Sequence, residues 1–350
     1  MTEADSPIAP PRKPGRWIVA ACIVYAAAVL LGWCALQFLS DRWWPATVLL
    51  YALRWPWLLP LLVLLPRSVR YGRKLWLLPL LTGLIILGPV MGFHLPRSRP
   101  SPARSGEATF RLLTCNLHRL ELNPRAFESY VLSSNPDIIA LQDYSGWDAS
   151  PIFTRPGWSA YRLGPLFIAT RFRIENVRDL GLQEIHGTDD LFVPRRMGDA
   201  EAVDLMTPAG PFRVINLHLA SPHLALDLLA TDPSDAIDLL EANSIRRWNE
   251  SRKITQWLAE HAGPPYLITG DFNTLSRSPI YQHFWSGYPD AFPTTSWGYG
   301  YTHYSILSEL RIDHVLSGPG VRFLDCRIGP ACGTPHRPLV VDFAIQSGLR

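Results

Sequence analysis

Short apolar runs in this chain end repeatedly on carboxylates, carboxamides and imidazoles. Asn116 and His118 follow RLLTC, Gln142 and Asp143 follow DIIAL, and Asn216 and His218 lie within VINLHL. Asp271 and Asn273 follow YLITG, Asp313 lies in RIDHVL and His336 in TPHRPL. Any one of these alone reads as a cap or a turn residue. Together they read as a site. Carboxylate and amide oxygens suit a hard cation such as Mg²⁺ or Mn²⁺, which keeps several waters and binds phosphate oxygens. Imidazoles beside such a cation deprotonate water or stabilise a transition state. The chemistry this set describes is phosphoester hydrolysis.

Other chemistries lack their parts. There is no G-x-S-x-G elbow for a serine hydrolase and no Gly-rich loop suited to a kinase or nucleotide fold. The cysteines, at 22, 34, 115, 326 and 332, make no Cys/His spacing of a zinc site. Cys326 and Cys332 are either a disulfide pair or buried free thiols, and the second is the simpler reading. A net charge of +3 is too small to mark a nucleic-acid binder on electrostatic grounds.

Positioning these groups requires alternating strands and helices. Short β-rich runs at 110–115, 137–141, 166–170, 202–206, 212–217 and 266–269 read as buried strands, and 313–316 and 339–345 as closing ones. Asn123-Pro124 reads as an N-cap followed by proline at the first helical position. A long helix is expected over 234–261, stopped by Gly263-Pro264-Pro265. No internal repeat is present. Polar residues just beyond buried strands stand where an α/β fold places its catalytic groups.

Six blocks then resemble, in order, the endonuclease/exonuclease/phosphatase superfamily with its DNase I-like fold. They are Thr114-Cys115-Asn116, the run from Asp137 through Gln142 to Asp143, Asn216-Leu217-His218-Leu219, Gly270-Asp271-Phe272-Asn273, Arg311-Ile312-Asp313-His314 and His336-Arg337-Pro338. The resemblance implies a four-layer α/β sandwich, two packed mixed β-sheets flanked by helices, with the site at one rim. It implies that Asn116 and Asp143 help hold Mg²⁺ (or Mn²⁺), and that Asp271 and Asn273 position water and phosphate. His218 would stabilise phosphorane charge, and His336 would act as general base or transition-state imidazole, oriented by Asp313. Two positions depart from the family's usual pattern: Asp143 stands where glutamate is usual, and Pro335 where an aspartate usually precedes the last histidine. They leave open a second reading, a catalytically degenerate member that binds phosphorylated or lipid ligands. The aromatic segment 285–304 reads as a substrate-facing loop or as ordinary loop packing.

The first hundred residues have a different character, with few charges between Trp17 and Leu95. Apolar runs at 17–39, 44–65 and 75–95 reach the roughly 20 residues needed to cross a bilayer, so three transmembrane helices are expected, the second of them a kinked span or else a re-entrant hairpin. The second is interrupted by Pro56, Pro60 and Arg54, whose charge is expected to snorkel to the interface. Arg12, Lys13 and Arg16 precede the first run, and Arg67, Arg70, Arg73 and Lys74 separate the second from the third, which places both groups in the cytoplasm. The expected organisation is a cytoplasmic N-terminus over 1–16, a transmembrane region over 17–95, a Pro/Ser/Arg-rich linker over 96–106 and a catalytic domain over 107–350. That makes an integral membrane protein of the bacterial inner membrane type with an extracytoplasmic catalytic domain. Its partners would be the lipid bilayer and a phosphoester substrate, either nucleic acid or a lipid or envelope phosphodiester; oligomeric state is unreadable.

Overall fold

The computed structural model describes residues 15–71, 74–96, 102–118, 123–145, 150, 153, 156–182, 198–305 and 308–346. They form two compact units, one of residues up to Ala35 with Leu53–Phe93, the other of Leu36–Ala52 with the chain from His94 onward.

The apolar helices differ from expectation. Helix α1 (Arg16–Cys34) runs on through a π turn, giving a 24-residue apolar helix over Arg16–Leu39 that is long enough to span a membrane. The second expected span is broken. Helix α2 (Trp44–Tyr51) and the stretch Trp55–Arg70, which ends in α3 (Leu61–Arg70), are bent by 87°. The break falls over residues 52–54, just ahead of Pro56, which has no N–H to continue the ladder and opens the next helical turn at its N-terminus. Helix α4 (Leu77–Ile85), with its π turn to Val90, is apolar but shorter than a span. Three transmembrane helices are therefore corrected to one, or two if the bent pair counts as one. Arg54 is turned inward. It is 8% exposed, and its guanidinium donates to the Val90 carbonyl at 3.4 Å within the first unit. In the same unit Tyr25 donates to the Trp57 carbonyl at 2.6 Å.

Among the described residues the second unit has thirteen strands. In chain order they are β1 (Glu107–Asn116), β2 (Ile138–Gln142), β3 (Ser159–Leu163), β4 (Leu166–Thr170), β5 (Arg173–Asp179), β6 (Asp199–Thr207), β7 (Gly210–His218), β8 (Tyr266–Asp271), β9 (His303–Tyr304), β10 (Glu309–Leu310), β11 (Asp313–Ser317), β12 (Val321–Ile328) and β13 (Leu339–Gln346). One sheet runs β12-β13-β1-β2-β4-β3 and the other β11-β8-β7-β6-β5, with β9 and β10 a separate ribbon. Each large sheet is antiparallel except for one central parallel pair, β1 with β2 and β7 with β8. Parallel neighbours need a crossover. Helix α5 (Pro124–Ser134) lies within the first, its N-terminus capped by Asn123 accepting from the Ala126 amide. The second crossover carries α6 (His223–Leu228) and the 28-residue α7 (Pro233–Glu260), capped by Asp232. Two short helices, α8 (Pro279–Phe284) and α9 (Ala291–Thr295), follow β8.

Alternation of side chains along each strand divides the core into three layers. Phe110, Leu112, Ile138, Ala140 and Ile168 of the first sheet meet Val203, Leu205, Phe212, Val214, Leu267 and Val315 of the second. The other face of the first sheet, Leu113, Ile139, Leu141 and Ala169, packs on Phe127 and Val131 of α5. The outer face of the second, Ile215, Leu217 and Ile268, packs on Ile254 and Leu258 of α7 and Trp285. Each Val, Leu, Ile or Phe among them contributes roughly 1.5–3 kcal/mol on full burial. Helices thus cover both outer faces of two packed mixed sheets. All five cysteines are free thiols.

A polar bridge joins the sheets inside this core. Gln142 Nε2 donates to Asn216 Oδ1 at 2.8 Å, and Asn216 Nδ2 donates to Glu201 Oε1 at 3.0 Å. Gln142 and Asn216 are therefore structural, lying beneath the rim. Burial, relieved only in part by Asn216, pushes the Glu201 carboxyl up to about 7. The folded protein then binds this proton more tightly than the unfolded chain, so stability falls as pH rises from about 4.5 to about 7 and is level above. Glu201→Gln, permanently neutral, is expected to leave stability unchanged near pH 4 and to raise it by on the order of 2–3 kcal/mol at pH 8. Thermal melting of both proteins across this range reads the difference; equal melting temperatures at pH 8 would mean the carboxyl is ionised at no cost.

Candidate active site

The two parallel strand pairs deliver their C-terminal ends to the same rim. Asn116 pairs in register with Gln142, and His218 with Asp271. Asp313 opens β11 directly opposite Asp271. The close approach of β8 to β7 sets the preceding residue. Gly270 has φ +135, and a Cβ there would lie 1.9 Å from the Leu217 carbonyl oxygen, so only glycine fits.

Asp271 is the point of convergence. Asn116 Nδ2, from the other sheet, donates to its Oδ2 at 2.8 Å. His218 Nε2 and His336 Nε2 each lie 3.7 Å from the same oxygen. Its Oδ1 accepts from the Asn273 amide at 2.8 Å. The His336 ring is held from its far side, where Nδ1 meets both Asp313 oxygens at 2.9 and 3.1 Å. That contact fixes the ring's orientation and leaves Nε2 facing Asp271. Asp313 is fixed in turn by Thr302 Oγ1, which accepts its amide at 3.1 Å.

Burial penalises the His336 imidazolium, yet Asp313 and Asp271 outweigh it and push its pKa up to about 9. Burial and the nearby Asp313 charge raise Asp271. Burial acts to raise Asp313, but His336, Thr302 and His303 together outweigh it and hold it low. Asp143 contributes to the rise at His336 and so belongs to the same electrostatic neighbourhood; it is half-buried and left-handed, with φ +51. His118 donates its amide to Asn116 Oδ1 at 2.8 Å.

The seven residues expected at the site thus gather at one rim, with one difference in aim. Asn273 has φ +47, and its Nδ2 donates to the Leu219 carbonyl at 2.8 Å, so the amide nitrogen supports the neighbouring loop. Pro335 also has a local explanation. Thr334 Oγ1 donates to the Asn116 carbonyl and accepts the His336 amide, both at 3.2 Å, while the Pro335 carbonyl accepts from Tyr304 at 2.9 Å. The turn before His336 is held without an aspartate.

Sequence reading missed several supports. His303 packs edge-on to His336 with ring centroids 4.7 Å apart, and burial with that neighbouring charge pushes its pKa down to about 3. Its position in the aromatic segment 285–304 was the available signal. Asp290 accepts from Tyr281 at 2.9 Å and Arg311 at 2.6 Å, and His314 spans from Asp290 to the Thr274 carbonyl at 3.0 and 3.1 Å. The histidine of the IDH block therefore braces the loop after Asn273. Trp297, Tyr299, Tyr301, Tyr304 and Arg337 line an open pocket of about 560 Å³, with the Arg337 guanidinium 4.0 Å from the Tyr304 ring centre.

The chain matches the model of the Endonuclease/Exonuclease/phosphatase family over residues 113–336. It belongs to that family. Membership makes it a hydrolase of the phosphoesterase and nuclease type, in a family that depends on divalent metals. Similar solved structures include humanized D. rerio TDP2, at TM-score 0.50 and 15% identity over 67% of this chain and 98% of that one. The endonuclease/exonuclease/phosphatase from Bacteroides vulgatus aligns at 0.49 and 15%, over 68% and 99%. The human Nocturnin catalytic domain aligns at 0.47 and 16%, over 70% and 100%. At 15% identity the likeness to TDP2 is one of fold. No curated protein sequence matches the chain.

Asp313→Asn tests the orienting contact, because it removes the charge that holds the His336 proton and can turn an N–H toward Nδ1 in place of an acceptor. Activity is expected to fall by roughly 10³–10⁴ with the melting temperature little changed; a loss under about tenfold would remove Asp313 from the mechanism.

Proposed function

We propose that this family member is an active, divalent-metal-dependent phosphodiesterase tethered to a membrane by its N-terminal apolar helix. The observation that carries the reading is the convergence of Asn116, His218 and His336 on one oxygen of a buried carboxylate, Asp271. Such a cluster costs stability unless a ligand or reaction uses it.

The donor set fits a hard cation. Asp271, Asp313 and His336 offer ligand atoms within 4.8 Å of one another. Both Asp313 oxygens face His336 Nδ1; Asn116 Oδ1, which accepts one amide from His118 and keeps a second lone pair, and the Asp143 carboxylate would be the better holders of Mg²⁺ or Mn²⁺. When bound, the ion supplies neutralisation of phosphate charge. His336, with a pKa of about 9, carries its proton at neutral pH and donates from Nε2 to a developing phosphorane oxygen. Asp271, raised by burial, is the proton acceptor for the attacking water. His218 flanks the same oxygen from the opposite strand and adds a second imidazole to the charge that develops. Asn273 holds Asp271 through its amide.

The test is hydrolysis of bis-p-nitrophenyl phosphate by the full chain in detergent, titrated with Mg²⁺ and Mn²⁺, beside His336→Ala. Metal-dependent turnover that falls by at least about 10³ in the variant is expected. Turnover undiminished in the variant overturns the mechanism. No turnover together with no metal binding at millimolar levels favours instead a degenerate member that binds phosphorylated ligands, for which Pro335 is the motivating departure.

With α1 as a single span, the positive-inside rule favours its N-terminal end, beside Arg12, Lys13 and Arg16, in the cytoplasm, and the catalytic unit would then lie on the outer face. Alkaline phosphatase fused after Arg350 is then active in intact bacterial cells, whereas a silent, stably expressed fusion would put the unit inside.

A further inference from the structure

Residues Leu36–Ala52 fold with the catalytic unit although apolar helices flank them in sequence. Their attachment is polar and buried. Asp41 turns with φ +62, donates its amide to Thr47 Oγ1 at 2.9 Å, and sets its carboxylate 3.3 Å from Arg247 Nη2 of α7. The two side chains are 2% and 0% exposed. Arg247 also donates to Asn243 Oδ1 at 2.9 Å and to the Ala220 carbonyl at 3.3 Å, just beyond His218, and its guanidinium lies 5.9 Å from the centre of the Tyr51 ring. A pair this buried contributes little net stability against desolvation, but it fixes geometry, since a lost partner leaves a bare charge.

Tyr51 closes α2, and its hydroxyl donates to the Asn273 carbonyl at 2.8 Å. The amide of that residue, in the left-handed region, is the one that donates to Asp271. A run of hydrogen bonds therefore leads from Tyr51 through Asn273 to the carboxylate at the centre of the site. Both dihedrals of Asn273 are pinned, φ by Asp271 and ψ by Tyr51, in a conformation that costs a non-glycine residue energy when unsupported.

We infer that Tyr51 is a positioning residue for Asp271, and that residues 36–52 form a working wall of the active site. The apolar N-terminal segment then contributes to turnover as well as to location. This rests on the hydrolase reading above. Loosening a carboxylate by a fraction of an ångström costs rate without costing substrate binding.

Tyr51→Phe keeps the ring against Arg247 and removes only the O–H. In the full chain in detergent, with bis-p-nitrophenyl phosphate and Mg²⁺, kcat is expected to fall roughly tenfold with KM within about twofold. Amide hydrogen exchange of residues 271–275 should quicken while that of α5 stays as it was. Val131→Ala, a core truncation in α5 remote from Asp271, should lower the melting temperature at least as much and keep kcat. An unchanged kcat or unchanged exchange in Tyr51→Phe overturns the positioning role, and so does a parallel kcat loss in Val131→Ala. A wild-type chain that hydrolyses nothing, while Tyr51→Phe still loosens residues 271–275, overturns the catalytic role through failure of the hydrolase reading alone.

Discussion

The hydrogen bond from Asn116 to Asp271 joins the rims of two different sheets, and the site exists only where those sheets meet. Neither residue can reach the other unless Leu112, Ile138 and Ala140 close on Val214, Leu267 and Val315 beneath them. Protein interiors are packed too tightly for that interface to slide by a fraction of a side chain. The apolar layer is therefore the ruler that sets a 2.8 Å polar contact. Below the rim, Gln142 and Asn216 repeat the crossing in a drier place and fix the register of the sheets against rotation.

Each sheet presents its site residues through one parallel pair embedded among antiparallel neighbours. Parallel pairing points two adjacent strands the same way, so their ends arrive at one rim together: His218 beside Asp271 on the second sheet, and Asn116 on the first, where its partner Gln142 turns inward to Asn216. The antiparallel β11 then brings Asp313 to the same rim by starting there. The arrangement gathers three carboxylates and two imidazoles, and the buried charges settle each other. Asp313 stays ionised because His336 is its partner, and His336 holds a proton because two carboxylates face it.

The elements that the sequence made legible are those whose identity is local. The apolar strands β1, β2, β4, β7 and β8 announce themselves because both faces are buried. Asn123 and Asp232 cap α5 and α7 by contacts within a few residues. Strands β3, β5 and β12 went unread, since their side chains are mixed in type and mostly exposed or only half-buried, and their extended form comes from pairing at sheet edges. The apolar segment misled in the opposite way. Hydropathy counted Trp44–Tyr51 into a span, whereas a left-handed Asp41 and the two prolines beyond turn it out of line, and Arg247 draws it into the catalytic unit.

By itself, then, the sequence determined the residue types of the site and their order along the chain, because metal and phosphate chemistry restricts which side chains can serve and strand ends restrict where they stand. Tertiary structure decided which of them touch. It made Asp271 the hub, turned the Asn273 amide nitrogen toward Leu219, assigned His314 to bracing, and placed Tyr51 against Asn273 from 222 positions away. These are contacts between distant segments, fixed by how layers pack, and no periodicity or local motif encodes a packing distance.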